Sequence, residues 1–274
     1  MLTWRRKTTT IYALFTVETT MSSFGHSLDL IWHLVQRDFL LRYKGSFLGV
    51  LWAILVPLTH LLVLVFIFVR VVPLNIDAYP AFVFTALLPW TWFSSSLSNA
   101  GGLFINNRDL IRRPNFPPVI LVLVNTISNL LLYLIVLPLA FGVILAYKHS
   151  FSWVLLFLPL LLLVQGLLIT GLSMMIATWN VFYRDVQQIV NVLVMLLFYI
   201  TPVFYRARAV DESYQVLFTI NPIAVLVQSN RDVLFNSRAP EWGSFLYALI
   251  VSLAICYLGY HAYRHKIDSV MDAL

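Results

Sequence analysis

Two segments of the chain combine aromatic rings with hydroxyl and amide side chains. They are 87–99, LLPWTWFSSSLSN, and 198–205, FYITPVFY. Flat aromatic faces beside hydroxyl groups suit sugar rings, but an interfacial aromatic belt and small-residue helix packing explain the same composition equally well. The candidate substrate-binding residues are the aromatic ones: Trp90, Trp92, Phe93, Tyr199, Phe204 and Tyr205.

Side chains able to catalyse a reaction are scarce. No Asp or Glu lies inside the long apolar runs, and His60 is the one clear ionisable residue there. An ionisable group within a membrane is a functional candidate, but we favour a structural histidine bonded to a carbonyl that Pro57 frees. Asp109 is the cytoplasmic-side acid best placed for catalysis near an apolar run, and no His lies within a few residues of it. A membrane enzyme acting on lipid-linked substrates is therefore disfavoured.

The sequence also lacks the usual means of binding metals and nucleotides. Cys256 is the only cysteine and indicates a small buried apolar side chain, so neither a disulfide nor a CxxC metal site is expected. There is no GxxxxGK[ST] motif and no chain of intramembrane carboxylates. If the protein transports a substrate, the energy must come from a partner, and we expect no metal or cofactor in this chain.

The spacing of charges predicts an all-α polytopic membrane protein. The composition is 60% hydrophobic and 11% charged, against ~25% charged in soluble domains. About 20 apolar residues cross the bilayer as a helix, and lipid forbids unpaired backbone groups. The predicted spans number six, at about 47–69, 79–104, 116–146, 152–180, 187–205 and 243–263.

Three further segments differ from the spans. Residues 1–22 are predicted to be a cytoplasmic tail, because their apolar stretch stops at Glu18. Residues 28–44 carry an apolar stripe at helical spacing opposite basic residues, which predicts an amphipathic helix in the headgroup plane. The run within 209–238 is too short and polar to span. It predicts two short helices broken at Asn221-Pro222, at the outer mouth.

The basic residues set the orientation. Loops on the side of the two termini hold twice as many Lys and Arg residues as the opposite loops, so both termini are predicted to be cytoplasmic. The net charge of +6 is therefore an orientation signal, and no nucleic-acid partner is expected. The basic residues predicted to face outward are Arg70, Lys148, Arg206, Arg208, Arg231 and Arg238.

Several short motifs follow one another in a recognisable order. After the amphipathic helix come LLPWTWFSSSL, NNRDLIRRPNFP, YRDV, ITPVFY and INPIAVLVQSNRDVL. Together, over about 26–266, they resemble the permease subunit of type-2 ABC exporters, specifically the branch that exports O-antigen, capsule and teichoic-acid polysaccharides. The N-terminal tail lies outside the resemblance.

The resemblance implies roles for particular residues. The aromatic residues named above would line a substrate channel, and 209–238 would form a periplasmic gate containing Asn221, Pro222 and Arg231. The amphipathic helix at 28–44 and two cytoplasmic loops, 107–113 and 183–185, would contact an ATPase; the two loops are called the coupling loops below. The implied ATPase-coupling residues are Arg37, Arg42, Asn107, Arg108, Asp109, Arg112, Arg113, Arg184 and Asp185.

The resemblance also implies an assembly. Two copies of the chain would form the channel, and two ABC ATPase subunits would bind ATP and Mg²⁺. The substrate would be a lipid-linked polysaccharide crossing the bacterial inner membrane. A type-2 exporter of a drug, lipid or other small molecule is the alternative that these motifs leave open.

Overall fold

The computed structural model describes residues 23–114, 116–147 and 152–273, with side chains from residue 28 onward. Within these ranges the regular elements are all helical, so the predicted all-α class is confirmed. The predicted tail 1–22 lies outside the described residues. The helices are α1 (Ser23–Tyr43), α2 (Trp52–Val65), α3 (Tyr79–Ala100), α4 (Gly102–Asn106), α5 (Arg108–Ile111), α6 (Val119–Tyr147), α7 (Leu158–Phe182), α8 (Asp185–Ile200), α9 (Glu212–Ile220), α10 (Pro222–Leu234) and α11 (Trp242–Ala273).

Short helical turns extend two of these helices. Gly49–Leu51 precedes α2 and Phe66–Val71 continues it as a π-helix, while Trp153–Phe157 precedes α7. With these turns, four stretches in the described part of the chain are long and apolar enough to cross a membrane: Gly49–Val71, Val119–Tyr147, Trp153–Phe182 and Trp242–Ala273. Among the predicted spans, α3 is more polar and α8 has only 16 residues. A count of six spans therefore stays a prediction.

The ends of several helices differ from the predicted spans for local reasons. Helix α3 ends at Ala100, and the single residue Gly101 separates it from α4. Helix α8 ends at Ile200 because Thr201 is extended, the conformation that a following proline favours. Helix α11 continues to Ala273, well beyond the predicted end at 263. The charges that follow position 263 therefore do not end the helix.

Helix α3 lies at the centre of the described structure. Every residue from 81 to 90 is buried, in contact with helices on several sides. Side-chain amides reach its backbone from two neighbours: Asn125 donates to the Ser96 carbonyl over 2.9 Å and Gln165 to the Pro89 carbonyl over 2.7 Å. Such polar groups within apolar helices fix the helices against one another.

Helices α7 and α11 make the most extensive pairing, and two glycines permit it. A Cβ added to Gly171 would lie 2.6 Å from the backbone nitrogen of Cys256, and one added to Gly259 would overlap the Gly171 backbone. Only hydrogen atoms fit at these positions, which is how small residues allow close packing of membrane helices. This pair forms one wall of the protein.

Helix α1 packs alongside α6. Val35 is fully buried against Ile120 and Val124, while Trp32 is 53% exposed. The helix that the amphipathic pattern predicts at 28–44 is therefore present, beginning at Ser23 and ending at Tyr43. Its position in the headgroup plane stays a prediction.

Candidate functional site

Residues that flank the two predicted coupling loops are joined by hydrogen bonds. The side chain of Gln187, in the first turn of α8, accepts a hydrogen bond from the Gly101 N–H over 2.6 Å. Asn180, at the end of α7, donates to the Gly101 carbonyl over 2.9 Å and accepts from the Gln187 N–H over 3.0 Å. These three residues, called the Gly101 joint below, connect the break between α3 and α4 to the α7–α8 turn.

The charged residues of the two coupling loops lie close in the sequence to residues of this joint, and the following four are accessible to solvent. The side chains of Arg108 and Asp109 are 65% and 94% exposed, and those of Arg184 and Asp185 are also exposed. Asn107 instead donates to the Leu103 carbonyl, which ends the short helix α4. Arg108, Asp109, Arg184 and Asp185 are thus accessible to a partner; their coupling role stays a prediction.

Arg42 lies apart from the loops and faces its own chain. Its guanidinium donates to Asn129 of α6 over 3.0 Å and lies 3.5 Å from Asp38. Arg37, by contrast, is exposed on α1. Arg42 therefore joins α1 to α6, which is a structural task that the sequence pattern does not reveal.

Beside Arg42 two cavities lie close together. A cleft of about 920 Å³ is lined largely by hydroxyl and amide side chains, including Ser98, Asn99 and Asn106. An apolar cavity of about 240 Å³ adjoins it near Ser95 and contains Trp92 and Tyr133. A cleft with these donors and acceptors suits a ligand rich in hydroxyl groups.

The six aromatic candidates for the channel divide into two groups. Trp90, Trp92 and Phe93 are 5%, 2% and 2% exposed, and the Trp92 indole donates to the Thr126 carbonyl over 3.1 Å. Within one chain these three rings are core residues and do not reach an outer surface. Tyr199 is 63% exposed and open to contact from outside the chain. The channel role of these residues stays a prediction.

The other two aromatic candidates, Phe204 and Tyr205, belong to the turn after α8. The Phe204 ring stacks on Phe68 at 5.1 Å, and its carbonyl accepts from Tyr79 over 3.0 Å. The Tyr205 hydroxyl donates to the carbonyls of Tyr199 and Ile200. This turn is ordered by aromatic packing and by backbone acceptors.

The gate segment contains the two helices that the Asn221-Pro222 break predicts, α9 and α10. Asn221 caps α10 by accepting from the Ile223 N–H over 3.2 Å, and Pro222 occupies the first helical turn, where no N–H is needed. Asp211 caps α9 in the same way through Ser213. The sequence thus encodes both helix starts locally.

Arg231 is the most deeply buried charge in the described residues, at 1% exposure. Its guanidinium donates to the carbonyls of Pro202 and Val203 over 2.7 Å each and to that of Phe82 over 3.3 Å. It also lies 3.9 Å from the centroid of the Phe82 ring. Burial lowers the pKa of Arg231 to about 9, so the group stays charged at neutral pH. Arg231 therefore holds α10 to α3 and to the turn after α8.

His60 does not make the bond expected of a structural histidine. Its side chain is exposed on α2, and the described residues offer its ring no hydrogen bond. The favoured interpretation, a ring bonded to a carbonyl near Pro57, is therefore not found. His60 lies at the midpoint of Gly49–Val71, on the outside of the single chain.

The sequence also matches known proteins over most of its length. Residues 29–235 match the ABC-2 type transporter family. The chain belongs to this family. It is 32% identical over 247 residues to an O-antigen export system permease protein of Myxococcus xanthus, covering 89% of this chain and 95% of that protein. It is 33% identical over 236 residues to a Klebsiella pneumoniae protein of the same name, covering 85% of this chain and 91% of that one.

A polysialic acid transport protein of Escherichia coli is a more distant relative, 23% identical over 241 residues, with 86% of this chain and 93% of that protein covered. This ABC-2 type transporter is thus a multi-pass membrane protein, and its relatives are named as permeases or transport proteins.

Sequence reasoning missed several residues that organise this ABC-2 type transporter. Asn129, Gln165, Asn180 and Gln187 all bind distant groups. The available signal was the amide side chains inside otherwise apolar runs, which are costly there unless they are paired. That signal identifies the residues but not their partners.

Proposed function

We propose that this chain is the permease of an ATP-driven exporter that moves a lipid-linked polysaccharide, of O-antigen, capsule or teichoic-acid type, across the bacterial inner membrane. The observation that carries the proposal is the match to O-antigen export permeases over more than four fifths of both sequences. The more distant relative named for polysialic acid transport also handles a sugar polymer by its name. The hydroxyl- and amide-lined cleft suits such a substrate.

A second copy of the chain is part of the proposal. Polar groups within a membrane face a protein neighbour or water rather than lipid. His60 and Thr59 are exposed near the middle of α2, and Asn191 is exposed on α8. A partner copy packed over α2 and α8 would cover these groups, and a channel between the copies would place Tyr199 at its wall.

Two ABC ATPase subunits complete the proposed assembly and bind the ATP and Mg²⁺. The exposed charges at 108–113 and 184–185 would contact them on the cytoplasmic side, where both termini of the chain would also lie. Because the Gly101 joint connects the end of α3, which precedes the first loop, to the start of α8, which follows the second, a push on either loop would move both helix ends as one unit. Movement of rigid elements of this kind is a common way of coupling sites.

The proposal is tested by deleting the gene and measuring polymer at the cell surface. We expect the polymer to accumulate inside the cell and the full-length gene to restore its export. Unchanged surface polymer, or export of a small molecule instead, would contradict it.

The proposed coupling is tested by co-purifying the chain with the ATPase encoded beside its gene. Asp109→Ala and Asp185→Ala should weaken assembly and the stimulation of ATP hydrolysis, whereas Asp77→Ala, an exposed acid outside both loops, should not. Full assembly and full stimulation in the two loop variants would show that the charges do not contact the motor.

A further inference from the structure

Four arginines around the gate helices line one cleft of about 650 Å³. They come from the turn before α9, from α10 and from the loop after it. Two carboxylates share the cleft, so that four guanidinium groups face two acids, an excess of two positive charges. The charged residues are Arg206, Arg208, Arg231, Arg238, Asp232 and Glu241.

Three of these arginines make no hydrogen bond or close ion pair, although Arg238 lies near enough to Asp232 to interact with it electrostatically. Arg231 is committed to backbone carbonyls, but Arg206, Arg208 and Arg238 are exposed, and the described residues give their guanidinium groups no hydrogen bond or ion pair within 4.0 Å. The acids are otherwise engaged: Asp232 accepts from Gln228 and Asn236, and Glu241 from the Ser244 hydroxyl. The cleft thus offers unpaired donors to an anion.

The backbone holds these arginines in place. A helical turn closes after Arg206, where the Ala209 N–H donates to its carbonyl over 3.0 Å. The Arg238 N–H donates to the Asp232 carbonyl over 2.9 Å, which folds the loop back over the end of α10. An anion would therefore meet guanidinium groups on an ordered backbone.

Neighbouring tryptophans indicate the depth of the cleft. Trp242 follows Glu241 directly, and Trp242 and Trp153 are 52% and 71% exposed. Both rings pack on Phe157, at 5.5 and 5.9 Å. Exposed tryptophans at the ends of membrane helices mark the headgroup level, where the phosphates of the lipids lie.

We propose that this cleft binds the phosphate group of a lipid in the outer leaflet. Arginine suits phosphate because its planar group presents several N–H donors to the oxygens. Basic residues are generally sparse in short outward-facing loops, so a convergence of unpaired arginines there needs an anion to explain it. The site goes beyond export of a polymer. If the exported polymer is joined to its lipid through a phosphate, that phosphate has the same chemistry as the phosphate of a membrane lipid. This last point alone rests on the proposed function.

The test measures binding of phosphatidic acid to the purified full-length chain by native mass spectrometry, with phosphatidylcholine and inorganic pyrophosphate as the comparison probes. The triple variant R206Q/R208Q/R238Q should bind phosphatidic acid more weakly, by about fivefold for each arginine removed. Arg70→Gln removes an exposed outer arginine that does not line the cleft, and it should leave the affinity unchanged.

Each outcome decides the proposal. Weaker phosphatidic acid binding in the triple variant, with unchanged phosphatidylcholine binding and competition by pyrophosphate, supports it. Equal binding in the triple variant and the wild type overturns it. Arginine-dependent binding of pyrophosphate alone would overturn the lipid as the source of the phosphate. The replaced side chains are exposed, and a thermal midpoint equal to that of the wild type verifies folding. No step requires transport, so the result is independent of the export proposal.

Discussion

The amide oxygen of the Gln187 side chain lies 2.6 Å from the backbone nitrogen of Gly101 and accepts its hydrogen bond. The residues are 86 positions apart in the chain, yet this contact fixes where α8 begins relative to where α3 ends. Within the described structure, the segments that lead into the first implied ATPase-contact loop and out of the second are thereby joined.

Replacing Gln187 by Ala should weaken both folding and coupling. The Gly101 N–H would lose its acceptor, which costs ~1–3 kcal/mol when the group is buried. We expect a lower thermal midpoint of the purified chain and a smaller substrate-stimulated ATPase rate in the assembled complex. Gln188→Ala changes the exposed neighbour and should affect neither quantity. Equal effects of the two substitutions would contradict the role of the joint.

Replacing a glycine by alanine should have opposite effects on stability in two of the helices. Gly171→Ala places a methyl group against the backbone of α11, which cannot move without separating the pair, so the thermal midpoint should fall. Gly142→Ala, on α6, meets nothing within 4 Å and should raise stability by up to ~1 kcal/mol, because alanine favours helix. Thermal unfolding of the two variants in detergent measures the difference. A stable Gly171→Ala variant would show that α7 and α11 do not pack at this distance.

Arg231 should not be replaceable by lysine. Its guanidinium reaches three carbonyls and lies over the Phe82 ring, a geometry that a single ammonium cannot reproduce. Arg231→Lys and Arg231→Met should each lower the free energy of unfolding by several kcal/mol. The folded fraction recovered by size-exclusion chromatography should therefore fall for both variants. Arg238→Lys, on the exposed rim of the same cleft, is the matched control and should remain fully folded. Normal yield of Arg231→Lys would mean that charge alone suffices.

The face of α2 that contains His60 should be accessible to water or to a second copy. In a Cys256→Ser background, His60→Cys should react with a membrane-impermeant thiol reagent or form a disulfide between copies. Leu62→Cys, about 200° away around the helix and 66% exposed, should face lipid and do neither. Reaction of Leu62→Cys alone would place the partner on the opposite face.

The sequence predicted the helices well because lipid leaves few alternatives. Charges bounded the apolar runs, and Asn221-Pro222 marked the break between α9 and α10. The ends were harder to predict, since α8 stops at Thr201 before a proline and α11 continues past Arg264. A charge that ends an apolar run therefore does not by itself end a helix.

The site was only partly predictable. The charged loops stand out in the sequence because their surroundings are apolar. The partners of buried polar residues cannot be recognised in the sequence, because they are far away along the chain. Asn180 contacts Gly101 across 79 positions, and Arg231 contacts Phe82 across 149. Aromatic composition was ambiguous for the same reason: only the fold shows that Trp92 is buried and that Tyr199 is exposed.

Helix α8 is held differently at its ends and in its middle. Within one chain only Val194 is buried along its length. Its first turn is tied to Gly101 through Gln187, and the turn that follows it is tied to Arg231. Its 16 residues span ~24 Å. Between these ends, one side of the helix rests on the core through Val190, Val194 and Phe198, while the other side is exposed. The helix is thus a strut of fixed length between Gly101 and the carbonyls of Pro202 and Val203. If an ATPase pushes the loops beside its start, as we propose, the strut would pass an axial displacement to that turn without a separate relay.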